Sequence, residues 1–170
     1  LQGCPMRCQF CHNPDSWAVG KGEEWSADEL LDKAERFRSY WGDKGGITVS
    51  GGEALLQIDF LLELFEKAHQ RGINTCLDTS AQLFTQKGQW FEKFERLMSV
   101  LDIKHINDEE HRKLTRHSNK NILACARYLS DIHKPVWIRH VLIPGITDKD
   151  EYLEELHDFL ATLSNIERID

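Results

Sequence analysis

The chain is 170 residues long, a length that suits a single domain, residues 1–170, with a hydrophobic core of its own. Apolar residues make up 41% of the chain and charged residues 29%, a balance that is typical of globular proteins and excludes a disordered or fibrous one. Acidic side chains number 28 and basic ones 21, and the resulting net charge of −7 argues against a general binder of nucleic acid or of anionic membranes.

Predicted strands and helices alternate along the chain. Ser26 and Glu29 form the pattern of a capping box, which predicts that the first helix begins there, and apolar residues recur at helical spacing as far as Trp41. The same periodicity predicts further helices over 57–71, 89–98, 118–131 and 148–163. Short apolar runs predict strands at 47–50, 73–78, 100–104, 136–143 and 166–169. This alternation predicts parallel βα units, and therefore an α/β fold.

The sequence also bears on where the protein works. No apolar run approaches the roughly 18 residues that a membrane span requires, and no signal peptide is visible. The sequence therefore predicts a soluble, monomeric protein of the cytoplasm, without membrane or nucleic-acid partners. Because the chain starts at Leu1 rather than at Met, and because the segment around the first cysteines needs a strand to leave from, we expect a sixth strand before Leu1.

The cysteines carry the first chemical signal: they are Cys4, Cys8, Cys11, Cys76 and Cys125. An odd count in a chain without a secretory signal argues against a disulfide framework. The first three lie in residues 4–11, here called the cysteine loop, at the spacing C-x3-C-x2-C. Three thiolates this close along the chain can wrap one metal centre, and thiolates suit zinc, Cu(I) or iron–sulfur clusters. Cys76 and Cys125 lie in strand and helix patterns and are expected to be small buried residues.

Three interpretations of the cysteine loop stand side by side. Zinc on the three cysteines and His12 fits poorly, because the adjacent Cys11 and His12 would have to bend back onto one ion, and structural zinc sites usually combine two separate ligand elements. An iron–sulfur cluster on Cys4, Cys8 and Cys11 fits better and leaves one iron open for chemistry. Three unrelated core cysteines are the remaining alternative.

Polar residues follow the ends of several predicted strands. They are residues 50–53, 78–80, 102–104 and 139–140. Because the carboxyl ends of parallel strands lie at one edge of a sheet, we expect them to form one site together with the cysteine loop. Asp102 and Lys104 are alternate residues of an apolar strand, so both point to one face, where they need partners or a ligand. For Thr79 or Ser80 taken alone, a strand-end turn or a helix N-cap is the better explanation.

The next motif is the glycine pair Gly51 and Gly52. Lacking side chains, they would let backbone groups approach a ligand closely. They follow a predicted strand, and 39 residues separate them from Cys11. By itself, a pair of glycines before Glu53 is weak evidence for a ligand site. It is strong evidence here, because the pair follows a predicted strand and the cysteine loop.

On these motifs the chain resembles the radical S-adenosylmethionine (SAM) superfamily, whose signatures are the C-x3-C-x2-C loop with an aromatic residue, here Phe10, before the last cysteine, and the Gly51, Gly52 and Glu53 stretch. Within it, the chain is most similar to the activating enzymes of glycyl-radical enzymes. The stretches that carry this resemblance are residues 2–4, 6–8, 10–13, 50–54, 75–79, 102–104, 107–109, 136–139 and 144–145.

The resemblance implies a fold and a reaction. The fold is a partial (βα)6 barrel of the radical SAM type, with its first strand before Leu1 and its C-terminal end after Asp170. The barrel would hold a 4Fe–4S cluster on Cys4, Cys8 and Cys11, with SAM on the fourth iron. One electron from a flavodoxin-like donor would split SAM into methionine and a 5′-deoxyadenosyl radical. That radical would take a hydrogen atom from a glycine of the partner enzyme, pyruvate formate-lyase.

The resemblance also implies roles for individual residues. The three cysteines and Lys104 are the expected catalytic set. Phe10, Cys11 and His12 are expected beside the adenine and the cluster. Gly52 and Asp102 are expected at the SAM amino group and Lys104 at the SAM carboxylate, with Ile103 between Asp102 and Lys104. Arg139 is expected at the nucleoside or the carboxylate. A monovalent cation site is implied on Asp78, Thr79, Asp102 and the Val100 carbonyl.

Two further functions stay open. The chain could activate a different glycyl-radical enzyme, although many such activases insert a ferredoxin-like region before the glycine pair, and the 39 residues here contain no cysteine. It could instead be a non-catalytic module that binds zinc or a cluster through its thiolates. Iron and sulfide content separates the module from the enzymes, and activation of a partner separates the two enzymes.

Overall fold

The computed structural model describes residues 1–42, 45–86, 91, 93, 94, 97 and 99–170. The strands of this part of the chain are β1 (Gly46–Val49), β2 (Asn74–Thr79), β3 (Val100–Asp102), β4 (Val136–Arg139) and β5 (Ile166–Ile169). Its α-helices are α1 (Ala27–Glu35), α2 (Ile58–Gln70), α3 (Asp108–Thr115), α4 (Lys120–Asp131) and α5 (Asp150–Ala161). Short 3-10 helices cover Pro14–Ser16, Arg38–Tyr40 and Ala54–Gln57. None of the described helices is long and apolar enough to span a membrane.

The five strands form one parallel sheet in the order β1-β2-β3-β4-β5. Each strand therefore lies beside the next one in the chain, as in a βα barrel, and not on both sides of a first strand as in a doubly wound sheet. In register, Val49 lies opposite Leu77, Thr79 opposite Leu101, and Asp102 opposite Arg139. The predicted α/β fold of parallel βα units is confirmed, and the carboxyl ends of the strands share one edge.

The helices bury their apolar faces against the sheet and each other. In α2 the predicted face is confirmed, since its members are all buried: Leu61, Leu64, Phe65 and Ala68. Cys125 of α4 lies in the same core, as predicted, whereas Cys76 of β2 is only half-buried. Burial of these faces is what stabilises α2 and α4, because isolated helices of this length are marginal in water.

The start of α1 is confirmed, but its predicted extension to Trp41 is wrong. The Ser26 hydroxyl accepts a hydrogen bond from the Glu29 N–H, and the Glu29 carboxylate accepts one from the Ser26 N–H (2.9 Å). The helix ends at Glu35, and the Phe37 N–H donates to the Ala34 carbonyl, which tightens the last turn. Phe37 is 57% exposed, so its burial offers nothing to prolong the helix.

The predicted strands 100–104 and 136–143 both end early, at Asp102 and Arg139. Side chains replace the missing strand partners: the Ile103 carbonyl accepts from His140 Nδ1 (2.7 Å). The buried Thr147 hydroxyl accepts from the Ile143 N–H and donates to the Val141 carbonyl, both at 2.7 Å. The chain is thereby turned away from the sheet at the edge where the strands end.

Helix α3 was not predicted, and one predicted helix cannot be compared. Asn107 caps α3 by accepting from the Glu109 and Glu110 N–H groups, but Leu114 is the only large aliphatic residue within the helix, so it lacks an apolar repeat. The predicted helix from Gln89 to Met98 lies largely outside the described residues.

Candidate active site

A cavity of about 410 Å³ opens at the carboxyl ends of the strands. Its volume lies in the range of small-molecule sites. The structure brings most of the predicted site residues to its walls: Cys4, Cys8, Phe10, Cys11, His12, Gly52, Asp78, Thr79, Asp102, Lys104 and Arg139. Ile103 and Val100 do not line it; the Ile103 side chain is fully buried, and Val100 pairs with Asp78 and Trp137 in the sheet. The cysteine loop and the strand ends therefore face one another.

The cysteine loop is held by the backbone of the segment that follows it. The Cys4 N–H donates to the Trp17 carbonyl (3.2 Å), and just before the loop the Gly3 N–H donates to the Ser16 carbonyl (2.8 Å). The Arg7 guanidinium closes the loop from within, donating to the Cys4 and Met6 carbonyls, both at 2.7 Å. All three thiols are half-buried, so the loop presents them at a partly dry surface.

The donor chemistry of the loop fits an iron–sulfur cluster. Burial raises the pKa of the Cys4 thiol and raises that of Cys8 to about 11, although the Lys104 ammonium opposes the shift at Cys8. A metal centre would displace these protons, because thiolates are the ligands it binds. Three soft donors on one short loop suit iron and sulfide. Among the residues that the structure describes, no three histidine, cysteine or carboxylate side chains converge as ligands of a single ion would.

The glycine pair packs against the start of the chain. The Gly52 N–H donates to the Leu1 carbonyl (2.9 Å) and the Glu53 N–H to the Gly3 carbonyl (2.7 Å). A Cβ on Gly52 would lie 2.1 Å from the Gly3 carbonyl oxygen, and Gly51 has a φ of +124°. The sequence predicted close approach to a ligand, but the approach seen here is to the chain's own backbone. Contact of the Gly52 backbone with a SAM amino group stays a prediction.

Glu53 is a residue to which the sequence assigned no contact of its own. It is 2% exposed, and its carboxylate accepts from the Thr79 hydroxyl, from the Ser80 hydroxyl (2.6 Å) and N–H (3.1 Å), and from the Leu55 N–H (3.2 Å). A buried carboxylate with this many donors stays satisfied away from water. Glu53 therefore joins the loop after β1 to the end of β2. Its position directly after two glycines was the sequence feature that could have indicated a role in the site.

A network of charges crosses the cavity floor. The Arg139 guanidinium donates to both carboxylate oxygens of Asp102 (2.6 and 2.7 Å) and also to Asp78. Lys104 Nζ donates to Asp102 (2.7 Å) and lies 5.8 Å from the centre of the Phe10 ring. Burial opposes ionisation of Asp102, but the hydrogen bonds from Arg139 and Lys104 outweigh it, so the pKa of Asp102 is lowered. The bonds to Asp102 raise the pKa of Arg139.

The residues of the predicted cation site face other partners. Asp78 and Asp102 share the Arg139 guanidinium, and the Thr79 hydroxyl donates to Glu53 while accepting from the Ala81 N–H. Arginine is a permanent cation, and its guanidinium occupies oxygen atoms of both carboxylates that a small cation would need. The monovalent cation stays a prediction.

Several residues of the cavity wall were not singled out from the sequence. They include Met6, Asn13, Ser16, Trp17 and Val141. Met6 is almost fully buried, and its sulfur lies 3.2 Å from the Ser80 hydroxyl oxygen. No pattern along the chain marks Ser16 and Trp17, because it is the folding of the 13–17 segment against the cysteine loop that brings them to the wall.

Comparisons with known proteins agree on the family. A family model described as the radical SAM superfamily matches residues 1–160. The pyruvate formate-lyase-activating enzyme of Streptococcus mutans is 55% identical, over 100% of this chain and 67% of that protein. The enzyme of the same name from Listeria monocytogenes is 49% identical, over 100% of this chain and 71% of that protein.

Solved structures give the same fold. A domain of the pyruvate formate-lyase-activating enzyme from Bacteroides vulgatus matches with a TM-score of 0.64 at 28% identity, over 73% of this chain and 77% of that one. Streptococcus suis SuiB bound to S-adenosylmethionine matches in fold with a TM-score of 0.70 at 21% identity, over 98% of this chain and 37% of that one. The chain therefore belongs to the radical SAM superfamily, in the family of the pyruvate formate-lyase-activating enzymes.

Proposed function

We propose that this radical SAM enzyme activates pyruvate formate-lyase by forming a glycyl radical on it. The observation that carries the proposal is the meeting of the cysteine loop with the charged strand ends at one cavity. Family membership supports the reaction class, and relatives up to 55% identical that are named for pyruvate formate-lyase support the partner. Activation of another glycyl-radical enzyme and a non-catalytic module remain the alternatives.

Cys4, Cys8 and Cys11 would hold the 4Fe–4S cluster as thiolates. When bound, the cluster supplies one electron that splits SAM into methionine and a 5′-deoxyadenosyl radical, which takes hydrogen from the partner's glycine. The three ligands come from one loop, and no other cysteine lines the cavity among the residues that the structure describes, which fits a centre with one iron left open for SAM. The half-buried setting of the thiols reduces the access of water to the reactive group.

Lys104 and Asp102 would bind the amino-acid end of SAM. That end is a zwitterion, and the two side chains, joined at 2.7 Å, offer it the opposite charges: Lys104 to the carboxylate and Asp102 to the ammonium group. Arg139 holds both oxygens of Asp102 and so fixes the orientation of this carboxylate. Ile103 would support the site through its backbone, which ties Arg139 and His140 together: its N–H donates to the Arg139 carbonyl (3.0 Å) and its carbonyl accepts from His140.

Phe10 and His12 would flank the adenine. Both line the cavity on the side of the cysteine loop, and Phe10 lies beside Lys104. Arg139 is 37% exposed at its side chain and so can also contact the nucleoside or carboxylate. A monovalent cation on Asp78, Thr79, Asp102 and the Val100 carbonyl would require the guanidinium of Arg139 to move. A flavodoxin-like electron donor, a monomeric state and a cytoplasmic location belong to the proposal as predictions.

The test is SAM cleavage by the anaerobically reconstituted protein. After reduction with dithionite, we expect 5′-deoxyadenosine from the unchanged protein and none from Cys8→Ala. Cys76→Ala is the matched control, because Cys76 is half-buried but does not line the cavity, and it should keep the activity. An intact cluster without cleavage would contradict the catalytic function, and zinc in place of iron and sulfide would contradict the cluster.

The partner is tested separately by electron paramagnetic resonance. The reconstituted protein is incubated with SAM and either pyruvate formate-lyase or a second glycyl-radical enzyme of different substrate class. We expect the glycyl-radical signal on pyruvate formate-lyase. A signal on the second enzyme alone would favour the first alternative, in which the chemistry is retained and the partner differs.

A further inference from the structure

The cysteine loop is tied to the C-terminal turn of α3. The Arg7 N–H donates to the Thr115 carbonyl (2.9 Å) and the Gln9 N–H to the Leu114 carbonyl (3.0 Å). The Gln9 side-chain amide donates to the Lys113 carbonyl (3.0 Å). These are among the last carbonyls of a helix, which have no partner inside the helix itself. The loop therefore caps α3, and α3 in turn holds the loop.

His117 adds a side-chain bond to the same contact. The chain leaves α3 through Arg116, whose φ of +70° is left-handed and ends the helix. Directly afterwards, the His117 ring reaches the Pro5 carbonyl with Nε2 (2.8 Å). A carbonyl can only accept, so Nε2 must carry the proton. Pro5 follows Cys4, so this bond holds the part of the loop between the first two cysteines.

Buried groups hold His117 in place. Its N–H donates to the Thr115 hydroxyl (3.2 Å), and its carbonyl accepts from His111 Nδ1 (2.7 Å). His111 and Thr115 are both 0% exposed. The bond from His117 to Pro5 is therefore made by a residue whose backbone is fixed from two sides, unlike a bond between two mobile surface side chains.

The contacts with α3 alternate with the residues that face the cavity. Pro5, Arg7 and Gln9 bond to α3 or to His117, whereas Met6 and Cys8 between them line the cavity. The bonds to α3 and His117 thus hold the residues on both sides of Cys8 while Cys8 itself lines the cavity.

We propose that the C-terminal turn of α3, with His117 as a positioning residue, arranges the cysteine loop for its cluster before the cluster binds. A loop that is already ordered loses less conformational entropy when its ligands bind the metal centre. The identity of the group that the loop holds rests on the proposed function, but the ordering of the loop does not.

The test compares two variants of similar size in the cluster-free protein. His117→Met removes the hydrogen-bond donor, and His117→Gln keeps a side-chain N–H that can reach the Pro5 carbonyl. Hydrogen exchange is measured at the Arg7 and Gln9 amides, with the Gly52 and Glu53 amides as internal references. We expect exchange at Arg7 and Gln9 to be about fivefold faster in His117→Met, as loss of one hydrogen bond permits. His117→Gln should restore most of the protection. His157→Ala, at an exposed histidine of α5, should change nothing.

A second measurement follows the cluster itself. After reconstitution, iron lost to a chelator is timed in the same variants, and His117→Met should lose it faster than His117→Gln. Equal amide exchange in His117→Met and the unchanged protein would overturn the proposal, as would equal behaviour of the two variants. If the chain bound zinc or failed to cleave SAM, the proposed function would fall, while amide exchange in the cluster-free protein would still decide this inference.

Discussion

At Gly52 the hydrogen on Cα occupies a space in which no side chain fits. The nearest atoms are the Gly3 carbonyl and the Ser16 carbonyl oxygen, all backbone, which cannot rotate away as a flexible side chain would. The loop after β1 and the start of the cysteine-containing segment meet at this point. Glycine is therefore required at this position for the two loops to pack together, independently of any contact with a ligand.

Replacing Gly52 with alanine should lower the free energy of unfolding. We expect a loss of about 3 kcal/mol, the upper range for overpacking, because the added methyl group would lie 2.1 Å from a backbone oxygen. Urea unfolding measures it. Gly22→Ala is the control, since its Cβ would meet only the end of the flexible Gln2 side chain. Equal stability of the two variants would contradict the argument.

Lys104→Met should weaken SAM binding without unfolding the protein. The ammonium group is the expected partner of the SAM carboxylate, and Asp102 keeps its two bonds to Arg139 when Lys104 is removed. A hydrogen bond to a charged group contributes about 1.5–3 kcal/mol, so the dissociation constant should rise at least about tenfold. Calorimetry on the reconstituted protein measures it, with the exposed Lys149→Met as control. An unchanged constant would remove Lys104 from the SAM site.

Among the elements, α1 depends on its ends because it is only 9 residues long. Ion pairs join it to α2: Arg71 at the end of α2 meets Asp28, Asp32 and Glu35 of α1 at 2.6 to 3.2 Å. Asp28 and Asp32 are exposed and Arg71 and Glu35 are in part open to water, and ion pairs in contact with water are weak and screened by salt. The buried Leu31 and the capping box therefore account for most of the stability of α1.

Ser26→Ala should destabilise the protein by about 1 kcal/mol, the usual effect of removing an N-cap side chain. The change removes the acceptor for the Glu29 N–H and leaves that group with no partner in the helix. Ser26→Thr keeps the hydroxyl and should stay close to the unchanged protein. Thermal unfolding compares the three. A loss of the same size in Ser26→Thr would show that the hydroxyl is not the cause.

Helix α3 shows how a short element depends on its surroundings. Its first turn carries Asp108, Glu109 and Glu110, which suit a helix N-terminus, and its last turn is capped by the cysteine loop. Eight residues are too few to form a stable helix alone. The Asn107 cap and the contacts with the cysteine loop supply the stability that an apolar repeat would give to a longer helix.

For the whole molecule, two buried histidines link stability to pH. His105 is 1% exposed and its ring packs against that of Tyr152, and His111 is 0% exposed. Burial lowers the pKa of both below the ordinary value of 6.5. In the unfolded chain they would take up protons near pH 6.5, so the unfolded state binds more protons than the native one below that pH.

The free energy of unfolding should therefore have its full value above pH 6.5. It should fall as the pH drops from there toward the lower pKa values of His105 and His111 in the native protein. The slope should approach about 1.4 kcal/mol per pH unit for each histidine. Urea unfolding at pH 7.5, 6.5 and 5.5 measures it in the cluster-free protein. His157→Ala, at an exposed position, should keep the slope. Stability independent of pH across this window would exclude the two histidines as its source.

The order of strands along the sheet explains why so much of the site was predictable. In a parallel sheet with strands in chain order, every strand ends at the same edge, so polar residues that follow each strand in sequence become neighbours. The sequence by itself determined the cysteine spacing, the α/β class, the cap of α1 and the strand ends that line the cavity, because each is carried by residues close together in the chain.

Only the tertiary structure decided how those groups are paired. Arg139 lies between Asp78 and Asp102, Glu53 binds Thr79, and His117 holds Pro5, at separations of 26 to 112 residues. The short pattern along the chain that predicts a helix or a metal loop contains no information about such partners. They are chosen by packing, since a buried charge or carbonyl takes the nearest group that can satisfy it.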